Sequence, residues 1–217
     1  MEKVVACVES AVRDFMQRQD KAHDWYHIQR VREAALFIAQ KEGGDKTVIE
    51  LAALAHDIGD KKIHGETEKG RIATLELLER CGVGAEMSKE VLNISMNVSF
   101  KGFDVPDTME SLEGKIVQDA DRLDAIGAIA IARTFTWGGH MGRPIYDPEI
   151  PLVYAENEDE YYSDGGMTGI NHFHEKLLHL KDRLHTETAK KIAEKRHEFM
   201  EKFLNQFQDE WELKDLK

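Results

Sequence analysis

The sequence predicts an all-α fold. Pro is scarce, at 4 in 217 residues, and Ala, Leu, Glu, Lys and Ile, most of them good helix formers, dominate its windows. Apolar residues recur three and four apart, and few windows alternate as strands do. The length suits one domain with a sizeable core, or one with an insertion. We read residues 1–217 as a single domain.

Val4, Val5, Val8, Val12 and Phe15 mark a first helix, broken by the polar stretch from Gln17 to Ala22. Asp24 is a plausible N-cap for a second helix through Ile28, Val31, Ala35 and Ile38, which Gly43 and Gly44 end. Asp45 or Thr47 can cap a third, carrying Val48, Leu51, Ala52 and Ala55 on to Gly59. A fourth covers about Glu68 to Glu79 and stops at Gly82; a fifth runs from about Ala85 to Val98. Asp107 and Glu110 have capping-box spacing, so a sixth helix is expected to start there. It carries Asp121 and continues, kinked near Gly127, toward Phe135. The run Gly138-Gly139-His140-Met141-Gly142-Arg143-Pro144 opens a long loop or small insertion near residues 138–170. That length makes it either functional, as a lid, or an inert surface excursion. Asn171 can cap a helix through Phe173, Leu177 and Leu180. A last amphipathic helix turns Ile192, Phe199 and Phe203 inward.

A formal net charge of −12 argues against an extended nucleic-acid surface or an anionic membrane as main partner. It leaves room for a small anionic substrate held by a local cationic cluster. Two distant cysteines, Cys7 and Cys81, make no metal-binding or disulfide framework and read as small core residues. The N-terminal segment lacks the long apolar stretch of a signal peptide, and the apolar run at 125–132 is far short of a membrane span. A cytoplasmic protein is the expectation.

The chemistry concentrates at Leu51-Ala52-Ala53-Leu54-Ala55-His56-Asp57-Ile58-Gly59-Asp60, where an apolar helix ends in a histidine, two carboxylates and a glycine. Uncompensated charge on such a surface is costly, and a metal ion is one remedy. His27 upstream and Asp121 downstream complete an imidazole and carboxylate set that suits a borderline divalent metal. On a helix, His56 and Asp60, four apart, share a face, as do His23 and His27. His27 and Arg30, and Asp121 and Asp124, are three apart. Asp60 is therefore the candidate for aligning a water or taking its proton. Arg30 is the favoured phosphate contact and catalytic cation, by its guanidinium fork. His23, Lys61, Lys101, Arg122 and Arg133 are further substrate candidates. Asp124 either orients a ligand or pairs with Arg122.

The order His27, His56-Asp57, Asp121 resembles the HD-domain phosphohydrolases. The match extends to His23-Asp24-Trp25-Tyr26-His27-Ile28-Gln29-Arg30-Val31, to the segment from Asp119 to Ala128, to Ala132-Arg133-Thr134-Phe135 and to the run from His172 to Leu178. Together these are similar to the small single-domain bacterial branch and cover nearly the whole chain. The resemblance implies an HD-domain helical bundle. It implies metal ligands at His27, His56, Asp57 and Asp121, and hydrolysis of phosphate esters or anhydrides. Members of this branch split nucleoside triphosphates, notably deoxy forms, into monophosphate and pyrophosphate. HD enzymes with two metals use extra histidines between the His-Asp pair and the final aspartate. Here only His64 lies there, so one ion is expected, Mn ahead of Ni, Co, Fe, Mg or Zn. Hydrolases of guanosine tetraphosphate carry two acids shortly after the pair. Asp60 matches the first, but Lys61 replaces the second.

The expected function is hydrolysis of a (deoxy)nucleoside triphosphate to monophosphate and pyrophosphate. The alternatives are a nucleoside 5′-monophosphatase and a nucleotide-binding regulatory module without turnover. The expected partner is a small phosphorylated anion, with no membrane and no extended nucleic acid; a homodimer stays open.

Overall fold

The structure is a computed structural model that describes residues 1–18, 24–99, 107–154 and 167–216, with backbone alone at 61 and 62. Among the described residues all regular structure is helical. By contacts the chain divides into two compact units: Asp107–Asp121 joins the N-terminal part, and the chain from Arg122 onward forms the second.

The first unit is built around α3 (Lys46–Ala55), whose residues from Val48 to Ala55 are buried apart from Glu50. Asp45 is its N-cap, accepting from the backbone N–H of Thr47 and Val48, so Thr47 is capped rather than capping. Around α3 pack α1 (Glu2–Met16), α2 (Trp25–Glu42) and α6 (Ala85–Asn97). Asp24 caps α2 as expected, accepting from His27 N–H at 2.7 Å. The short α4 (Lys61–His64) leads into α5 (Thr67–Arg80), which ends before Gly82 with its positive φ of 76°.

Two boundaries in this unit differ from expectation. The apolar run continues through Ile58, but α3 stops at Ala55 and residues 56–59 form turns. The next long helix, α7 (Leu112–Asp124), starts later than Asp107. Asp107 accepts from Met109 N–H in a local turn, and the Ser111 hydroxyl accepts from Gly114 N–H at the helix start. The cysteines are not separate core residues. Cys7 on α1 and Cys81 after α5 form a disulfide, their Cα atoms 5.5 Å apart across 74 residues.

In the second unit the predicted kink is a break. Gly127 adopts a φ of 92°, a left-handed conformation that ends one helix and precedes α8 (Ala128–His140). Helix α8 runs through Gly138 and Gly139 into the expected loop region. Residues 141–154 are irregular; 155–166 lie outside the described residues. The next helix, α9 (Gly169–Glu175), is capped by Thr168 and not Asn171. Asn171 instead donates its side-chain amide to the carbonyls of Ile150 and Pro151. The expected continuation through Leu177 and Leu180 is a 3-10 helix, Leu177–Arg183. Thr186 caps the long α10 (Glu187–Trp211), whose buried face is Ala189, Ala193, His197 and Met200. Phe203 packs half-buried against Phe135 and Phe173, Ile192 is half-buried, and Phe199 is exposed. No helix among the described residues is long and apolar enough to cross a membrane.

Candidate metal centre

The centre is assembled by three elements of the first unit. His27 sits in the first turn of α2, its backbone held by the Asp24 cap. His56 and Asp57 follow the last residue of α3, where packing of the apolar helix on all sides fixes the chain end. Asp121 lies on α7. His27, His56 and Asp57 are buried, and the Asp121 side chain keeps 24% of its surface exposed.

The two imidazoles meet edge-on, with Nε2 atoms 3.3 Å apart. Asp57 reaches both rings: Oδ1 lies 3.3 Å from His56 Nε2 and Oδ2 lies 3.5 Å from His27 Nε2. Asp121 Oδ1 is 3.5 Å from His27 Nε2 and 3.8 Å from His56 Nε2. One ligand atom from each of His27, His56 and Asp57 falls within 4.8 Å of the others; Asp121 is not a member of that tighter group.

These donors fit a divalent cation. His56 donates Nδ1–H to the carbonyl of Ala53 at 2.8 Å, which turns Nε2 inward as the nitrogen available to a metal. Ligand atoms about 2.0–2.2 Å from one ion stand roughly 3.0–3.5 Å apart at ordinary coordination angles. The separations here lie at or just beyond that spacing. A cation there would take up the lone pairs of these convergent ring nitrogens and carboxylate oxygens in a buried place, where uncompensated charge is costly.

The turn after His56 changes one premise of the sequence reading. Ile58 N–H bonds to Ala55 and Asp60 N–H to Asp57, both across three residues. In such turns residues three apart align, so Asp60 follows Asp57 rather than His56. Asp60 is half-buried at the end of the turn. Arg30 is half-buried one turn beyond His27 on α2. His23 and Lys101 lie outside the described residues, as does the side chain of Lys61.

Two arginines have internal partners in the second unit. Arg122 is buried and donates to the carbonyl of Arg183 and to His185. Arg133 pairs with Asp124 at 2.7 Å. One residue the sequence reading passed over is tied to the metal-centre turn. His64 donates Nε2–H to the carbonyl of Ile58 at 2.7 Å. Its only sequence signal is its place shortly after the His-Asp pair.

A family model for the HD domain matches residues 24–126. YpgQ of Bacillus subtilis is 37% identical over 203 residues, covering 93% of this chain and 90% of that protein. A crystal structure from Lactobacillus plantarum superposes with a TM-score of 0.89 at 34% identity, covering 98% of this chain and 99% of that one. The structure of an HD-superfamily hydrolase from Bacillus thuringiensis is 41% identical, with a TM-score of 0.75 and coverage of 97% and 98%. YpgQ has been solved in complex with ADP; that structure has a TM-score of 0.72 at 35% identity and covers 93% of this chain and 97% of its own.

Proposed function

This chain belongs to the HD-domain superfamily of metal-dependent phosphohydrolases, and on that footing we propose that it cleaves nucleoside triphosphates, deoxy forms included, to monophosphate and pyrophosphate. The observation that carries the reading is the buried convergence of His27, His56 and Asp57, with His56 Nε2 turned inward, opposite the bond from Nδ1 to Ala53. A nucleotide substrate is supported by the ADP complex of YpgQ.

His27, His56, Asp57 and Asp121 would hold one divalent ion, with Mn the first choice. Bound there, such an ion supplies Lewis-acid polarisation of a phosphoryl oxygen and acidifies a nearby water. Asp60 accepts the proton of the attacking water. Arg30 grips a phosphate oxygen with its fork and offsets the charge that builds there. Water adds to the α-phosphorus, the bond to the bridging oxygen breaks, and pyrophosphate leaves. His23, Lys61, Lys101 and Arg133 are further proposed substrate contacts. Arg122, whose Nη1 donates to the carbonyl of Arg183 and to His185, is proposed with them.

The test is product identification by phosphorus NMR after incubation with triphosphates, monophosphates and several divalent metals in ¹⁸O-labelled water. Pyrophosphate with labelled monophosphate is expected. Orthophosphate alone from a triphosphate, or tripolyphosphate, refutes the bond assignment. Turnover of monophosphates only establishes the 5′-nucleotidase.

A further inference from the structure

We propose that His64 is a positioning residue that sets the turn carrying Asp57 and Asp60, acting through the carbonyl of Ile58. The inference rests on reading His27, His56 and Asp57 as metal ligands. Carbonyls past the end of a helix lack their helical partners. The chain from His56 to Asp60 is such a stretch, and two of its carbonyls are satisfied from residues 63 and 64. Ile58 O accepts from the His64 ring at 2.7 Å. Asp60 O accepts from the backbone N–H of Ile63 and His64 at 3.0 and 3.2 Å.

The donor is itself held. The His64 ring stacks on Phe15 of α1, with centroids 6.1 Å apart and planes 22° from parallel. The Ile58 side chain is fully buried, which pins the peptide from the other end. The following peptide runs against α5: a Cβ built on Gly70 would stand 2.2 Å from Gly59 O. The turn is thus gripped between the His64 bond and the backbone of α5. Rotation of the peptide between Ile58 and Gly59 would swing Asp57 on one side and Asp60 on the other. His64 fixes that rotation without touching the ligand atoms, much as partners behind metal ligands orient them elsewhere.

The discriminating variants are His64→Gln, whose amide N–H falls near the place of Nε2, and His64→Asn, whose amide falls near Nδ1. His64→Leu removes the donor. Metal-stripped wild type and variants are titrated with Mn²⁺ in a calorimeter. The kcat and KM for a nucleoside triphosphate are measured alongside, with circular dichroism to check folding. His64→Gln should stay within about threefold of wild type in Mn²⁺ affinity. Asn and Leu should lose roughly 10- to 100-fold, the range typical of outer partners, with kcat falling more than KM rises. The proposal is overturned if the Leu variant binds Mn²⁺ like wild type, or if folded Gln protein is as weak as Asn or Leu. If only the Gln variant folds, a loss of tenfold or more in it overturns the proposal, and retention supports it. Wild type that binds Mn²⁺ but turns over no triphosphate refutes the proposed reaction alone, and the affinity series still decides His64. Wild type that binds no Mn²⁺ overturns both.

Discussion

His56 donates Nδ1–H to Ala53 and so presents a lone pair to His27 and Asp57. Replacing it with Gln removes that lone pair, and Mn²⁺ affinity measured by calorimetry should fall beyond the roughly 10- to 100-fold typical of outer partners. Asp60→Asn should behave differently. Its carboxylate is proposed to move a proton rather than hold the ion, so turnover should drop about 10²- to 10⁴-fold while Mn²⁺ binding stays near wild type. Loss of both together would make Asp60 a ligand. Elsewhere, burial, reinforced by His179, pushes His174 below its ordinary value of 6.5. The folded state therefore takes up this proton less readily than the unfolded chain. Above 6.5 the ring is neutral in both states; as pH falls below that value, His174 costs stability. Burial pushes the Glu175 carboxyl up against the opposing pull of Val153 N–H and Arg143, which gives the opposite slope above the ordinary carboxylate range. The comparison is therefore with His174→Asn. Between pH 7.5 and 5.5 the wild-type Tm should fall further than that of the variant, and parallel falls would dismiss the effect.

Among the elements, α5 holds the metal-centre turn most closely. The Thr74 hydroxyl donates to the carbonyl of Gly70, and Gly70 backs directly onto Gly59. Gly70→Ala forces a methyl group against a backbone carbonyl, where nothing flexible can yield. Overpacking of this kind costs about 1–3 kcal/mol, to be read from denaturant unfolding, and the displaced turn should weaken Mn²⁺ binding as well. A variant as stable as wild type would mean that α5 slides without consequence. The disulfide from Cys7 to Cys81 ties α1 to this same helix. Closing so long a loop restricts the unfolded chain, and loss of such a link typically costs about 2–4 kcal/mol. Reductant should lower Tm in the wild type and leave Cys7→Ser unmoved. Thiol titration of unreduced, denatured protein should find no free thiol. Such links are rare in reducing compartments, so that titration on protein from the native host also bears on where the protein works.

For the whole molecule, a chain of net charge −12 that handles phosphates needs local positive charge. The proposed ion with Arg30 supplies it in the first unit. An ion that binds only the folded state stabilises it by mass action, about 2.7 kcal/mol at a hundredfold excess over Kd. Chelation should accordingly lower Tm, and Mn²⁺ should restore it in the wild type but not in His56→Gln. An unchanged Tm on chelation would count against the four-residue site.

The all-helical class, the α2 and α3 caps and the His27, His56 and Asp57 set were legible in the sequence. Each cap joins a carboxylate to an N–H within three residues, and helix periodicity is a property of local spacing. The end of α3 at Ala55 was not legible, because Ile58 extends the apolar pattern while the chain changes after Ala55 to bonds across three residues. The spacing of Asp107 and Glu110 offered a start for α7, and only the folded chain showed Ser111 at the helix start. The pairing of Asp124 with Arg133, the link between Cys7 and Cys81 and the bond from His64 to Ile58 were decided by tertiary structure alone. Each depends on where a break or turn sends the chain. Local spacing determines which side chains share a helix face, but it carries no information about which groups meet once the helix ends.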